Sequence, residues 1–149
     1  MDNMAVACVY CDFTAQDEQT ATGLLGALLK QVVLALEPIP YQVQKAFESS
    51  KRRVGGRRLL LPDIGETLSQ SLSCLRRVFI CIDVLDEFPA KHRPELLKSL
   101  QKVVVKCPNI RLFLTGRLHM LGEAQKYFPS TAELYKSVLE RMTSGYILR

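Results

Sequence analysis

A chain of 149 residues has the length of one ordinary domain and can bury a real core. Its apolar fraction of 48%, charged fraction of 23% and net charge of +5 are those of a globular protein. No apolar run approaches the roughly 20 residues of a membrane helix, and the opening MDNMAVACVYCDF is no secretory signal, so a cytoplasmic location is expected.

Ala5 to Phe13 is rich in β-formers and reads as the first strand. It holds a CxxC at Cys8 and Cys11. Residues three apart on a strand point to opposite faces, no second CxxC follows, and His92 and His119 lie far away, so core cysteines are expected rather than a metal site. The five cysteines, an odd count, sit mostly within or beside apolar segments, as reduced thiols do.

Asp17 to Thr22 is polar and supplies a helix start. Leu24, Leu25, Leu28, Leu29, Val32, Val33 and Leu36 then form a wide apolar stripe at helical spacing, ended by Pro38 and Pro40. Tyr41 to Ser50 reads as a shorter helix, broken by Val54-Gly55-Gly56. Around it cluster Lys45, Lys51, Arg52, Arg53, Arg57 and Arg58, opposed only by Glu48. Such a cluster binds phosphates or nucleic acid in other settings. No aromatic residues interleave with it as stacking platforms, so nucleic-acid binding ranks below a solvated basic loop.

Asp63 is placed to cap a helix carrying Ile64, Leu68, Leu72 and Leu75 along one side. Val78 to Ile82 is too uniformly apolar for a strand with one wet face and suits a central parallel strand covered on both sides. Asp83, Asp86 and Glu87 close it. Three carboxylates at one strand end repel one another unless a cation or a wet cleft compensates them. Phe88 to Arg93 reads as a loop, and Pro94 suits the first turn of a helix with Leu96, Leu97, Leu100, Val103 and Val104 as its buried face. Ile110 to Thr115 is a further strand, followed by Gly116-Arg117 and a short helix at Leu121 to Tyr127. Thr131 to Lys136 is expected as a last strand, with a terminal helix from Ser137 to Arg149. Strands alternating with helices argue for an α/β fold, a parallel sheet with helices on both faces.

The segments VYCDF (Val9 to Phe13), LLKQVVLAL (Leu28 to Leu36), FICIDVLDEF (Phe79 to Phe88) and NIRLFLTGR (Asn109 to Arg117) resemble the NACHT-type NTPase domain of STAND signalling ATPases, closest to the fungal and nephrocystin-like group. The resemblance spans nearly the whole chain. It implies a P-loop NTPase-like domain over residues 1–149 and Mg²⁺ with ATP or GTP as the ancestral cofactor. It assigns the metal to Asp83, the attacking water to Asp86 and Glu87, and the terminal phosphate to Thr115 and Arg117. The same acids and arginine would equally serve as a structural ion-pair network at the sheet edge. The family's phosphate-gripping G-x-x-x-x-G-K-[ST] loop has no counterpart, since no Gly-Lys pair occurs in the sequence. The resemblance therefore implies a domain entered beyond its first strand and Walker A loop, with ladder groups exposed on both neighbours of that interior strand. Little or no NTPase activity is expected, and protein partners, including other NACHT-type proteins, rank second. Val84 stands where the family has a small residue, which crowds the expected metal position.

Overall fold

The computed structural model describes residues 3–15, 18–53, 59–117, 119–129, 132–136 and 144–148. In chain order its elements are β1 (Met4–Tyr10), α1 (Ala21–Leu34), α2 (Tyr41–Arg53), α3 (Leu61–Ser73), β2 (Arg77–Asp83), α4 (Arg93–Lys106), β3 (Ile110–Gly116), α5 (Met120–Tyr127), β4 (Ala132–Lys136) and β5 (Ser144–Leu148). They make an α/β fold on one sheet of order β1-β2-β3-β5-β4. The first three strands are parallel, and the last two add an antiparallel hairpin beside β3.

Local chemistry sets the boundaries. Thr20 caps α1, its hydroxyl accepting the Gly23 N–H at 3.0 Å. In α3, Leu60 holds the cap position without a side-chain bond, and Pro62 falls in the first turn. Asp63 is therefore not the expected cap but a first-turn acid, where the helix dipole favours negative charge. Asn109 donates to the carbonyls of Leu72 (2.9 Å) and Leu75 (2.7 Å), closing the orphan acceptors at that helix's far end.

Ala5, Ala7, Val78, Ile80, Ile82, Ile110, Leu112 and Leu114 point to one face of the sheet and are buried with α1, α3 and α4. The strand order explains why these helices share a face. Each step from β1 to β2 to β3 moves one place in the same direction, and right-handed crossovers then land on one side. The opposite face bears Met4, Val6, Cys8 and Tyr10 on β1, all exposed, with half-buried Phe79, Cys81 and Phe113 beside them. The helical cover expected on both faces is thus found on one face among the described residues. Phe79 and Phe113 pair across β2 and β3, ring centroids 6.2 Å apart.

Two further expectations change. Ser144–Leu148 is a strand where a terminal helix was expected, and residues 137–143 lie outside the described residues. Its sequence, SGYIL, opens with two weak helix formers and ends in β-formers, which favours pairing. That strand pairs with β3 from Leu112↔Leu148 to Gly116↔Ser144, so β3 is paired on both sides. At the other edge, β1 is protected at one point by a side chain. Gln31 of α1 accepts the Cys8 N–H at 2.9 Å and donates to the Cys8 carbonyl at 2.8 Å, as a neighbouring strand would. No helix among the described residues is long and apolar enough to cross a membrane.

Candidate functional site

Parallel strands bring the ends of β2 and β3 side by side, and all five residues singled out by the sequence gather there. Asp83 is the last residue of β2, and its side chain lies on the face away from the helices. Thr115, on the same face of β3, donates its hydroxyl to Asp83 Oδ1 in a very short contact. The same hydroxyl accepts the Val84 N–H at 2.7 Å. One side chain thus ties the acid and the backbone turn behind it to the neighbouring strand.

That turn is strained. Val84 has φ 56° and ψ 50°, a left-handed conformation that a β-branched residue rarely adopts. It directs the chain into a 3₁₀ turn, Leu85–Glu87, which carries Asp86 and Glu87 back over the end of β3.

Arg117 meets both acids. Its Nε lies 3.1 Å from Asp86 Oδ2 and its Nη2 lies 3.5 Å from Glu87 Oε1. Its backbone N–H also donates to Asp86 Oδ1 at 3.3 Å. The Asp86 side chain is only 5% exposed, whereas that of Arg117 is 67% exposed. The carboxylate is therefore the fixed partner and the guanidinium the accessible one. Gly116 makes room for this approach, since a Cβ there would stand 3.2 Å from Asp86 Oδ1.

Sequence reasoning did not single out Arg93, which holds the turn from below. Buried in the first turn of α4, it donates through Nη2 to the carbonyls of Phe88 (2.9 Å) and Asp86 (3.3 Å). Through Nη1 it pairs with Glu123 of α5 at 2.9 Å and contacts Met120 Sδ at 3.2 Å. Its Nε is buried with no hydrogen-bond partner among the described residues. The sequence does carry a signal: an arginine next to a proline at a helix start sits where the dipole disfavours a cation, unless other acceptors hold it.

The thiol behind the site follows its surroundings. Cys11, whose N–H donates to the Asp83 carbonyl at 3.0 Å, is buried. Burial first, then the Asp83 charge, pushes its pKa up to about 12, despite an opposing pull from Arg93. Among the described residues no group of three or more His, Cys, Asp or Glu could hold a metal ion. The basic segment 45–58 runs along α2 to Arg53, and residues 54–58 lie outside the described residues.

In this sheet acids close β2, and a threonine and an arginine close the neighbouring parallel strand β3. The profile of one family, described as Nephrocystin 3, N-terminal, matches residues 1–117, from before β1 to Arg117. The chain belongs to that family. No curated protein and no solved structure matches the chain.

Proposed function

We propose that this chain carries the acid-and-arginine half of a NACHT-type STAND nucleotide switch and hydrolyses little or no nucleotide by itself. The observation that carries this reading is the meeting of Asp83 with Thr115, and of Asp86 and Glu87 with Arg117, at adjacent parallel strand ends. Asp83 is the acid that would take Mg²⁺. One carboxylate, with phosphate oxygens and waters completing the shell, is a customary Mg²⁺ environment. The described residues form no closed cage, so the ion would arrive with its nucleotide. When bound, it neutralises phosphate charge. Asp86 and Glu87 are the acids aimed at a water, and they already share the Arg117 guanidinium. A terminal phosphate would compete for that same exposed cation, which couples phosphate occupancy to the freedom of the acids. The sequence has no Gly-Lys pair to grip the β- and γ-phosphates, so affinity should be about millimolar and turnover absent.

The test is a titration of the purified chain with fluorescent Mg-ATP and Mg-GTP, with hydrolysis followed in parallel. Weak, Mg²⁺-dependent binding that Asp83→Asn abolishes is the expected result. Turnover that vanishes in Glu87→Ala would overturn the claim of inactivity. No binding at millimolar nucleotide would overturn the nucleotide reading and leave the alternative, a non-enzymatic module that pairs with NACHT-type relatives. That alternative draws on the open sheet face, where Val6 is 70% and Tyr10 67% exposed. Sedimentation of mixtures with an intact relative would separate the two readings.

A further inference from the structure

Cys8 of β1 and Cys81 of β2 are Cα partners in the parallel register. Both lie on the sheet face without helices, Cys8 exposed and Cys81 half-buried between Cys8 and Phe113. Adjacent strands stand about 4.8 Å apart, inside the roughly 4.4–6.8 Å of Cα spacing that a disulfide spans. The two side chains project from directly paired positions on the same face of the sheet. Gln31 fixes the Cys8 backbone from the other side, so the pair is held in place rather than brought together by chance. Burial first, and the Cys8 contact second, push the Cys81 thiol up to about 11, leaving exposed Cys8 as the thiol that solvent reaches.

We propose that Cys8 and Cys81 form a dithiol site that a peroxide-class oxidant converts into a reversible cross-strand disulfide. In the first step the Cys8 thiolate attacks a peroxide oxygen and the O–O bond breaks. With hydrogen peroxide the leaving hydroxide takes up the proton that the Cys8 thiol gave up, so the products are a Cys8 sulfenic acid and one water. In the second step the Cys81 sulfur loses its proton and attacks the Cys8 sulfur. The S–S bond forms, the S–O bond breaks and a second water leaves. Two thiols have lost two electrons and two protons, and the peroxide has become two waters. Side chains projecting in parallel from a flat pair hold their Cβ atoms farther apart than the roughly 3.8 Å a relaxed bridge prefers. The bridge is therefore strained and readily reduced, as labile disulfides are. It staples the edge strand β1 to its neighbour β2. Cys11 is a poor competitor for Cys8: it is fully buried, and its thiol is pushed up to about 12.

The experiment treats the full chain with hydrogen peroxide, blocks remaining thiols by alkylation and digests with trypsin without reductant. Cys8 and Cys11 share tryptic peptide 1–30, and Cys81 lies in 78–91. The expected product joins these two peptides with a mass loss of about 2 Da, is split by dithiothreitol, persists in Cys11→Ser, and is absent in Cys8→Ser and Cys81→Ser. A bridge within peptide 1–30, a link that survives Cys8→Ser, or oxidation that stops at Cys8 sulfinic acid with no link would each overturn the proposal. Fragment ions of the linked wild-type peptides place the alkyl group on Cys11 and the bridge on Cys8, which decides the matter even if a serine variant folds poorly; an alkyl group on Cys8 would overturn the proposal.

Discussion

Replacing Arg117 with alanine removes the cation that Asp86 and Glu87 share. Breaking a fully buried pair costs about 3–5 kcal/mol, while an exposed pair is worth about 1 kcal/mol or less. Here the acid is buried and the arginine is not, its side chain 67% exposed, so solvent screens the pair and the lower limit weighs more. Asp86 also keeps the backbone N–H of residue 117, at 3.3 Å. The expected loss is therefore about 1–2 kcal/mol, a fall of roughly 0.5–1 M in the urea midpoint for a domain of this size. A double-mutant cycle isolates the pair: wild type, Arg117→Ala, Asp86→Ala and the double variant, each unfolded in urea at low and high salt. A coupling of about 1 kcal/mol that shrinks in high salt is the expected result. Zero coupling, with Arg117→Ala as stable as wild type, would refute the claim that the guanidinium holds these acids together.

Replacing Gln31 with alanine unpairs both backbone groups of Cys8 at an open sheet edge, which should cost about 1–2 kcal/mol. Faster amide exchange at Cys8 and light scattering at high concentration would register it; unchanged exchange would count against the clamp. At Val84, glycine should be more stable than alanine by about 1 kcal/mol, the reverse of the usual order, because only glycine is at ease at φ 56°. Chemical denaturation of the two variants decides this, and alanine ranking above glycine would mean that the left-handed turn is absent. Cys11 gives a pH signature. Between its ordinary 9.0 and about 12 the unfolded chain releases the Cys11 proton while the folded chain keeps it, so stability falls as pH rises through that window. Cys11→Ala should flatten that part of the pH–stability curve, and an unchanged slope would refute the assignment.

Much of the site was legible because its signal is local. A central strand ending in Asp83, and a strand ending in Thr115-Gly116-Arg117, can be read from apolar runs and the polar residues that stop them. That the two ends meet follows from parallel pairing. The left-handed turn at Val84 was illegible, since valine is the wrong residue from which to expect it. Arg93 was passed over because its partners, the carbonyls of Asp86 and Phe88 and the carboxylate of Glu123, come from two other elements. The one-sided helical layer is a property of strand order, and strand order is not written in periodicity: β2 reads as a strand buried on both faces, but its Phe79 and Cys81 side is half open. The C-terminal strand was missed for lack of a strong pattern in SGYIL, and it forms because β3 offers an edge.

The parallel register has a kinetic side. Met4 pairs with Arg77 and Tyr10 with Asp83, partners separated by 73 positions in each case (77 − 4 and 83 − 10). Three helices intervene, and each can consolidate from near-neighbour contacts before that long loop closes. β1 thus leaves the ribosome well before the strand it pairs with and is among the last of these elements to find its place. Until it docks, a nascent chain holds Ala5 and Ala7 outside the core they complete, and a chaperone that binds this protein during synthesis should find β1 still undocked.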